Sequence, residues 1–348
     1  MTSRRARSSV AANVAIAALY DAPAMRNVIA AVFVAATIAP AFTVSGQAPA
    51  KRSPVNAEEL DRLFQQVKNW GRWGKDDQRG AANLITPAKR KQALSYAKTG
   101  QTVSLVHNPL TDKADDNGSP FEHTMLPGFN MDRYAVSYHG YSHSHMDALC
   151  HILYKDQTYN GYARAAVNTD KGCTKLGIDN LKQGLITKAV LLDIPRLKGV
   201  PYLEPGTAVY QEDVEAWEKM SGVKIQPGDV ILLRTGRWAR RDKVGPWAVG
   251  RSAAGFHASI IPFIKARGVA LVGSDAASEV SPSMVEGVAL PVHTLLITAL
   301  GVNILDNQDL EALAEVAAKL KRWEFMITIN PLPVTGGTGS PMNTLATF

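Results

Sequence analysis

The sequence predicts an α/β fold, on three observations. Continuous apolar runs such as Ala189-Val190-Leu191-Leu192-Asp193 and Val269-Ala270-Leu271-Val272-Gly273 end in a polar or glycine turn, as strands buried on both faces do. Segments of helical periodicity lie between these runs, and the two kinds alternate along the chain. At 348 residues and 46% hydrophobic content, the chain can bury the large core such a fold needs.

From the N-terminus, an apolar stretch over 28–44 follows Met25-Arg26 and exits on Val44-Ser45-Gly46, the pattern of a secretory signal. Residues 1–46 are therefore expected to be a signal peptide with an upstream extension, 47–54 a polar linker, and 55–348 a single catalytic domain. A membrane anchor is the competing reading, weakened by Pro40 and by the abundance of alanine. The expectation is export to the periplasm or secretion, with no membrane contact after cleavage.

Residues 56–67 carry helical periodicity with acidic residues in the first turn. A loop rich in tryptophan and glycine follows, from Asn69-Trp70-Gly71 to Arg72-Trp73-Gly74. Thr86-Pro87 opens a second helix to about residue 97, with the threonine as cap and proline at the first helical position. Strands are read at 102–106, 135–146, 189–194, 230–234, 269–273 and 325–330, and helices at 211–220, 259–266, 291–300 and 308–320. After the last strand, Gly336-Gly337-Thr338-Gly339-Ser340-Pro341 reads as a tight structural turn bordering the site.

Charge narrows the partners. Arg4, Arg5, Arg7, Arg26, Lys51 and Arg52 against Asp21 put +5 before residue 53, leaving +2 of the total +7 for the rest. Without a basic run or interleaved aromatics, that remainder gives nucleic acid no footprint. There is also no Gly-x-Gly-x-x-Gly after a strand, no Gly-x-x-x-x-Gly-Lys phosphate loop and no Gly-x-Ser-x-Gly elbow. The partner expected is a small-molecule substrate.

The chemistry concentrates at Tyr138-His139-Gly140-Tyr141-Ser142-His143-Ser144-His145-Met146-Asp147-Ala148-Leu149-Cys150-His151, which holds half of the chain's eight histidines. If this stretch is extended, His139, His143, His145 and Asp147 share one face, with Tyr141 among them. Imidazole and carboxylate are the ligands that Zn2+ or Mn2+ takes, so this face reads as a metal site. His151 is left to move protons at the rim. The only cysteines are Cys150 and Cys173. Cys173 reads as a buried thiol, with a disulfide to Cys150 the alternative in an oxidising compartment. Cys150 is a candidate nucleophile, on the far side of an extended chain from His151.

The stretch from Tyr141 to His151 resembles the cyclase family of metal-dependent hydrolases, which includes kynurenine formamidase and isatin hydrolase. Its motif, His-x-Gly-Thr-His-x-Asp-x-Pro-x-His, falls here on Tyr141, His143, Ser144, His145, Asp147, Leu149 and His151. The resemblance extends through Leu192-Asp193-Ile194, the segment 228–236, Val272-Gly273-Ser274-Asp275, Pro291-Val292-His293, Ile304-Leu305-Asp306-Asn307 and the closing glycine loop. It implies a mixed central β-sheet or partial barrel flanked by helices, with further ligands at His293 and Asp306. Two departures stand out: tyrosine replaces the first motif histidine, and aspartate stands where glutamate is usual.

The resemblance implies hydrolysis of an amide-type bond in an aryl formamide, a lactam or an isatin-like cyclic amide. His143, His145 and Asp147 would hold the Zn2+ or Mn2+, with His293 and Asp306 completing the shell or holding a second ion, and His151 acting as acid and base. Trp70, Trp73, Phe129 and Tyr134 are candidates to line an apolar pocket. The resemblance also implies a homodimer or homotetramer. The competing reading is a non-catalytic periplasmic protein that binds metal or ligand through a degenerate site.

Overall fold

The structure is a computed structural model that describes residues 52–128 and 130–348. The expected leader, most of the linker and Phe129 lie outside the described residues.

Nine strands form one mixed sheet that curls into a half-barrel. In chain order they are β1 (Thr102–Ser104), β2 (His145–Asp147), β3 (Leu185–Asp193), β4 (Val230–Arg234), β5 (Leu271–Ser274), β6 (Asn303–Asp306), β7 (Glu324–Ile329), β8 (Gly339–Pro341) and β9 (Leu345–Thr347). In space the order is β1-β9-β7-β3-β4-β5-β6-β2-β8. The four central strands, β3 to β6, run parallel. They are buried along nearly their whole length, which is why their sequences lack a polar alternation.

Helices stand where the periodicity predicts them, with one more at Arg237–Val244 beyond those read from the sequence, and the first two start at the expected caps. Helix α1 (Ala57–Val67) starts at Asn56, whose side chain accepts the Glu59 amide at 2.9 Å, and it buries Leu60, Phe64 and Val67. Helix α2 (Pro87–Leu94) is capped by Thr86, which accepts the Lys89 amide at 3.2 Å. Helices α3 (Gln211–Ser221), α4 (Arg237–Val244) and α5 (Ile261–Arg267) lie in the crossovers between parallel strands, and α6 (Glu311–Leu320) follows β6. The helix expected over 291–300 forms with those bounds, but only Pro291–His293 is α-helical and Thr294–Leu300 continues as a π-helix. Such widened turns recur at functional sites.

The largest departure is the strand expected over 135–146. Only His145–Asp147 joins the sheet; residues 139–143 form bends, and a separate exposed hairpin, Glu122–Met125 with Asp132–Ala135, precedes them. The reason is where the carbonyls go. Asn307 Nδ2 donates to Gly140 O at 2.7 Å and to His143 O at 3.3 Å, and Arg237 donates to Tyr141 O. With those acceptors taken by side chains, no ladder forms, and Gly140 at φ +129° turns the chain.

Cys150 and Cys173 form a disulfide, with Cα atoms 6.5 Å apart, which ties the end of the motif to the hairpin strand Gly172–Cys173. Cys173 is thus not a free thiol, and Cys150 has no thiol to offer as a nucleophile. Among the described residues, no helix is long and apolar enough to cross a membrane.

Candidate metal centre

Backbone register builds the first part of the site. β2 pairs antiparallel with β6 so that His145 lies opposite Asp306, and with β8 so that Asp147 lies opposite Gly339. Cross-strand partners share a face, and Asp147, two residues beyond His145, returns to that same face. His145 Nδ1 donates to the His143 carbonyl at 2.8 Å, and a carbonyl only accepts, so Nδ1 carries a proton and Nε2 is the ring atom turned to the site. That Nε2 lies 3.4 Å from Asp147 Oδ1.

His293 arrives from the start of the widened helix. Its Nε2 is 3.2 Å from Asp306 Oδ2 and 3.7 Å from Asp147 Oδ2. Its Nδ1 is 2.5 Å from Oε1 of Glu279, whose Oε2 accepts the Val292 amide at 2.9 Å. A buried carboxylate behind an imidazole is the support that orients metal-binding histidines. Sequence reasoning missed Glu279, because it stands in a loop after β5 with no periodicity and no neighbouring histidine to flag it.

The bend delivers a second set. His139 Nδ1 lies 3.2 Å from Asp147 Oδ1, and its ring stacks on His151 with centroids 3.9 Å apart and planes 8° apart. Asp147 therefore stands between two groups, His139 with His151 on one side and His145 with Asp306 on the other.

The structure does not bring His143 to this cluster. Its Nε2 pairs with the Ser119 carbonyl at 3.0 Å, because the chain bends at 139–143 and the alternation of a strand is lost there. Nor does it bring Trp70, Trp73 or Tyr134 there. Trp70 donates from Nε1 to the Thr298 carbonyl at 2.8 Å and packs edge-on against Phe64, and Trp73 packs against the core. Tyr134 is exposed on the hairpin, bonded to Asp132. The cavities at the cluster are lined otherwise. One of about 220 Å³ is bordered by His139, Tyr141, Ser119 and Gly250, and one of about 480 Å³ by Tyr141, Arg251, Glu279, Val285, Val288 and Leu290. Tyr141 belongs to both. Its ring lies against Gly250, where a Cβ would stand 2.6 Å from a ring carbon.

Electrostatics mark the cluster as a cation site. Asp147, Glu279 and Asp306 are at most 3% exposed, and three carboxylates at that depth require positive charge. Without a cation His293 supplies part of it. Burial opposes a charge on His293, but Asp306 and Glu279 outweigh burial and hold its pKa well above the ordinary value. Burial pushes the Asp147 carboxyl up, but His139 and His145 outweigh it and hold the pKa well below the carboxylate range. At His151 burial prevails and lowers the pKa to about 4, leaving a neutral imidazole. A divalent cation does the same balancing with every imidazole neutral and every lone pair used. Asp147 Oδ1 and His139 Nδ1 are both buried without a hydrogen-bond partner, as atoms reserved for an ion are.

Comparisons with known proteins agree with this architecture. The sequence profile of the Cyclase family matches residues 80–279, over half of the chain. A crystal structure described as a novel cyclase is 32% identical, with a TM-score of 0.73, covering 82% of this chain and 99% of that one. Isatin hydrolase A from Ralstonia solanacearum shares the fold at 20% identity and a TM-score of 0.50, covering 75% of this chain and 97% of that one. An isatin hydrolase bound to the product analogue thioisatinate does so at 18% and 0.50, covering 75% and 98%. No curated protein matches the chain. Sequence profile and structural likeness together place the chain in the Cyclase family.

Proposed function

We propose that the protein is a metal-dependent hydrolase that cleaves an amide-type bond, in an aryl formamide, a lactam or an isatin-like cyclic amide. The observation that carries this reading is the convergence of buried imidazoles and carboxylates on Asp147, with ligand atoms left unpartnered; a 480 Å³ cavity is bordered by Glu279, the carboxylate behind His293. The isatin hydrolases that share its fold support the choice of substrate class.

His145 Nε2, Asp147, His293 Nε2 and Asp306 would hold Zn2+ or Mn2+. When bound, such an ion polarises a carbonyl oxygen and lowers the pKa of a water from about 15.7 to about 7. Glu279 keeps His293 oriented by accepting from Nδ1, and the His143 carbonyl does the same for His145. His151 is neutral and close to Asp147, so it takes the proton of the attacking water as the carbon–oxygen bond forms. It then gives that proton to the leaving nitrogen as the carbon–nitrogen bond breaks, and the products are a carboxylate and an amine. Val285, Val288 and Leu290 offer an apolar wall for a flat ring.

The Cys150–Cys173 disulfide supports the reading of residues 1–46 as an export signal, since such bonds persist in oxidising compartments. The test of function is a panel of formamides, lactams and lactones, assayed before and after EDTA treatment and after resupply of Zn2+ or Mn2+. Turnover lost with the metal and regained with it supports the proposal. No turnover of any member by the metal-loaded protein would favour a binding protein instead.

A further inference from the structure

We propose that His139, through Nδ1, is a cation ligand of this chain and supplies the imidazole that the motif lacks at Tyr141. The inference rests on the metal-dependent reading above and assigns a ligand outside the motif positions.

The geometry is that of two atoms sharing an ion. His139 Nδ1 and Asp147 Oδ1 lie 3.2 Å apart, and Asp147 Oδ1 lies 3.4 Å from His145 Nε2. Nitrogen and oxygen ligands about 2.1 Å from a tetrahedral ion stand roughly 3.4 Å from each other. Neither His139 Nδ1 nor Asp147 Oδ1 makes a hydrogen bond, although both atoms are buried. Buried polar atoms are nearly always paired, so two orphans at ligand spacing point to a shared cation.

The rest of the ring is held as a ligand's ring must be. Nε2 lies 3.0 Å from Thr338 Oγ1, one face stacks on His151, and the ring meets His145 at 82° with centroids 5.2 Å apart. A donor bond from Nε2 to the threonine hydroxyl leaves the Nδ1 lone pair for the ion. Thr338 is placed by backbone: its carbonyl accepts the Ala148 amide at 2.9 Å, next to the β2–β8 pairing. The bend is fixed as well, by Gly140 and by the carbonyl bonds from Asn307 and Arg237.

The two competitors are committed elsewhere. His143 pairs with the Ser119 carbonyl, and Tyr141 projects between the two cavities. His139 is 31% exposed and borders the smaller cavity, so a small molecule in solution can reach its place.

The experiment uses the full chain with Zn2+ as probe, its affinity measured by competition with a chromophoric chelator, and with Co2+ as spectroscopic probe. His139→Ala is expected to weaken Zn2+ binding by more than about 100-fold, beyond what loss of an outer-shell partner costs. It should also change the visible Co2+ spectrum, and free imidazole should restore that spectrum. His143→Ala and Tyr141→Phe should bind Zn2+ within about threefold of the parent. Unfolding of the metal-free proteins checks that each variant folds, and His139→Gln replaces the alanine variant if that one does not. A folded His139 variant with the parent's Zn2+ affinity and Co2+ spectrum overturns the inference while leaving the metal-dependent reading intact. A parent protein that binds neither ion overturns both.

Discussion

The two halves of the candidate site are held in different ways. His145 and Asp306 are fixed by strand register, each opposite the other in adjacent strands of a nine-stranded sheet. His139 stands on a bend whose carbonyls are gripped by Arg237 and Asn307, side chains far away in sequence. Register is enforced by every hydrogen bond in the ladder, whereas the bend depends on a few. The strand half therefore behaves as scaffold, and the bend half is the more easily displaced of the two. Asp147 joins the two.

Variants can pull these halves apart. The largest effect belongs to Asp147→Ala, which removes the shared carboxylate: metal content by mass spectrometry should fall to background and turnover with it. His151→Ala strikes the bend half at its chemistry, so turnover should drop by ~10²–10⁴-fold while bound metal is kept. A variant that also loses the ion would make His151 a ligand and not a proton carrier.

Arg237→Ala loosens the bend without touching a ligand. The guanidinium is buried, donates to Tyr141 O and contacts Asp116 at 3.3 Å and Asn307 at 2.8 Å. Arg241 still holds Asp116 at 2.7 Å, so denaturant unfolding should show a loss near the lower end for a broken buried pair, ~3 kcal/mol. Lysine should not rescue it, since one ammonium cannot reproduce the fork. The smallest effect lies outside both halves, behind His293. Glu279→Gln replaces the anion behind His293 with a neutral amide and should weaken Zn2+ binding by ~10–100-fold while the fold persists. An unchanged affinity would mean that Glu279 serves packing alone.

What the sequence disclosed follows the range of the forces involved. Asn56, Thr86 and Pro87 mark helix starts because caps act within one turn, and the buried parallel strands announce themselves because both their faces are apolar. His145, Asp147, His293 and Asp306 were legible through the motif and the resemblance, and the structure brings all four together. The bend at 139–143 was not, because it is imposed by Arg237 and Asn307, each about 100 or more residues away, so alternation put His143 on one face with His145 and Asp147, whereas in the structure it turns to the Ser119 carbonyl. Glu279 carried no local signal. The pairing of Cys150 with Cys173 has no local signal either, because it depends on the hairpin at 168–173 folding against the end of the motif. Trp70 stands away from the cluster for a plainer reason: its indole finds the Thr298 carbonyl in the core and is spent on packing.

The central claim is that a divalent cation at Asp147 enables hydrolysis of an amide. Its most direct test is a titration of one metal-stripped, folded preparation with Zn2+ or Mn2+, following bound ion and amide turnover together. Turnover that rises in proportion to bound ion and stops rising at saturation is the predicted result. Full turnover in the stripped protein, unchanged as the ion is added, would contradict it.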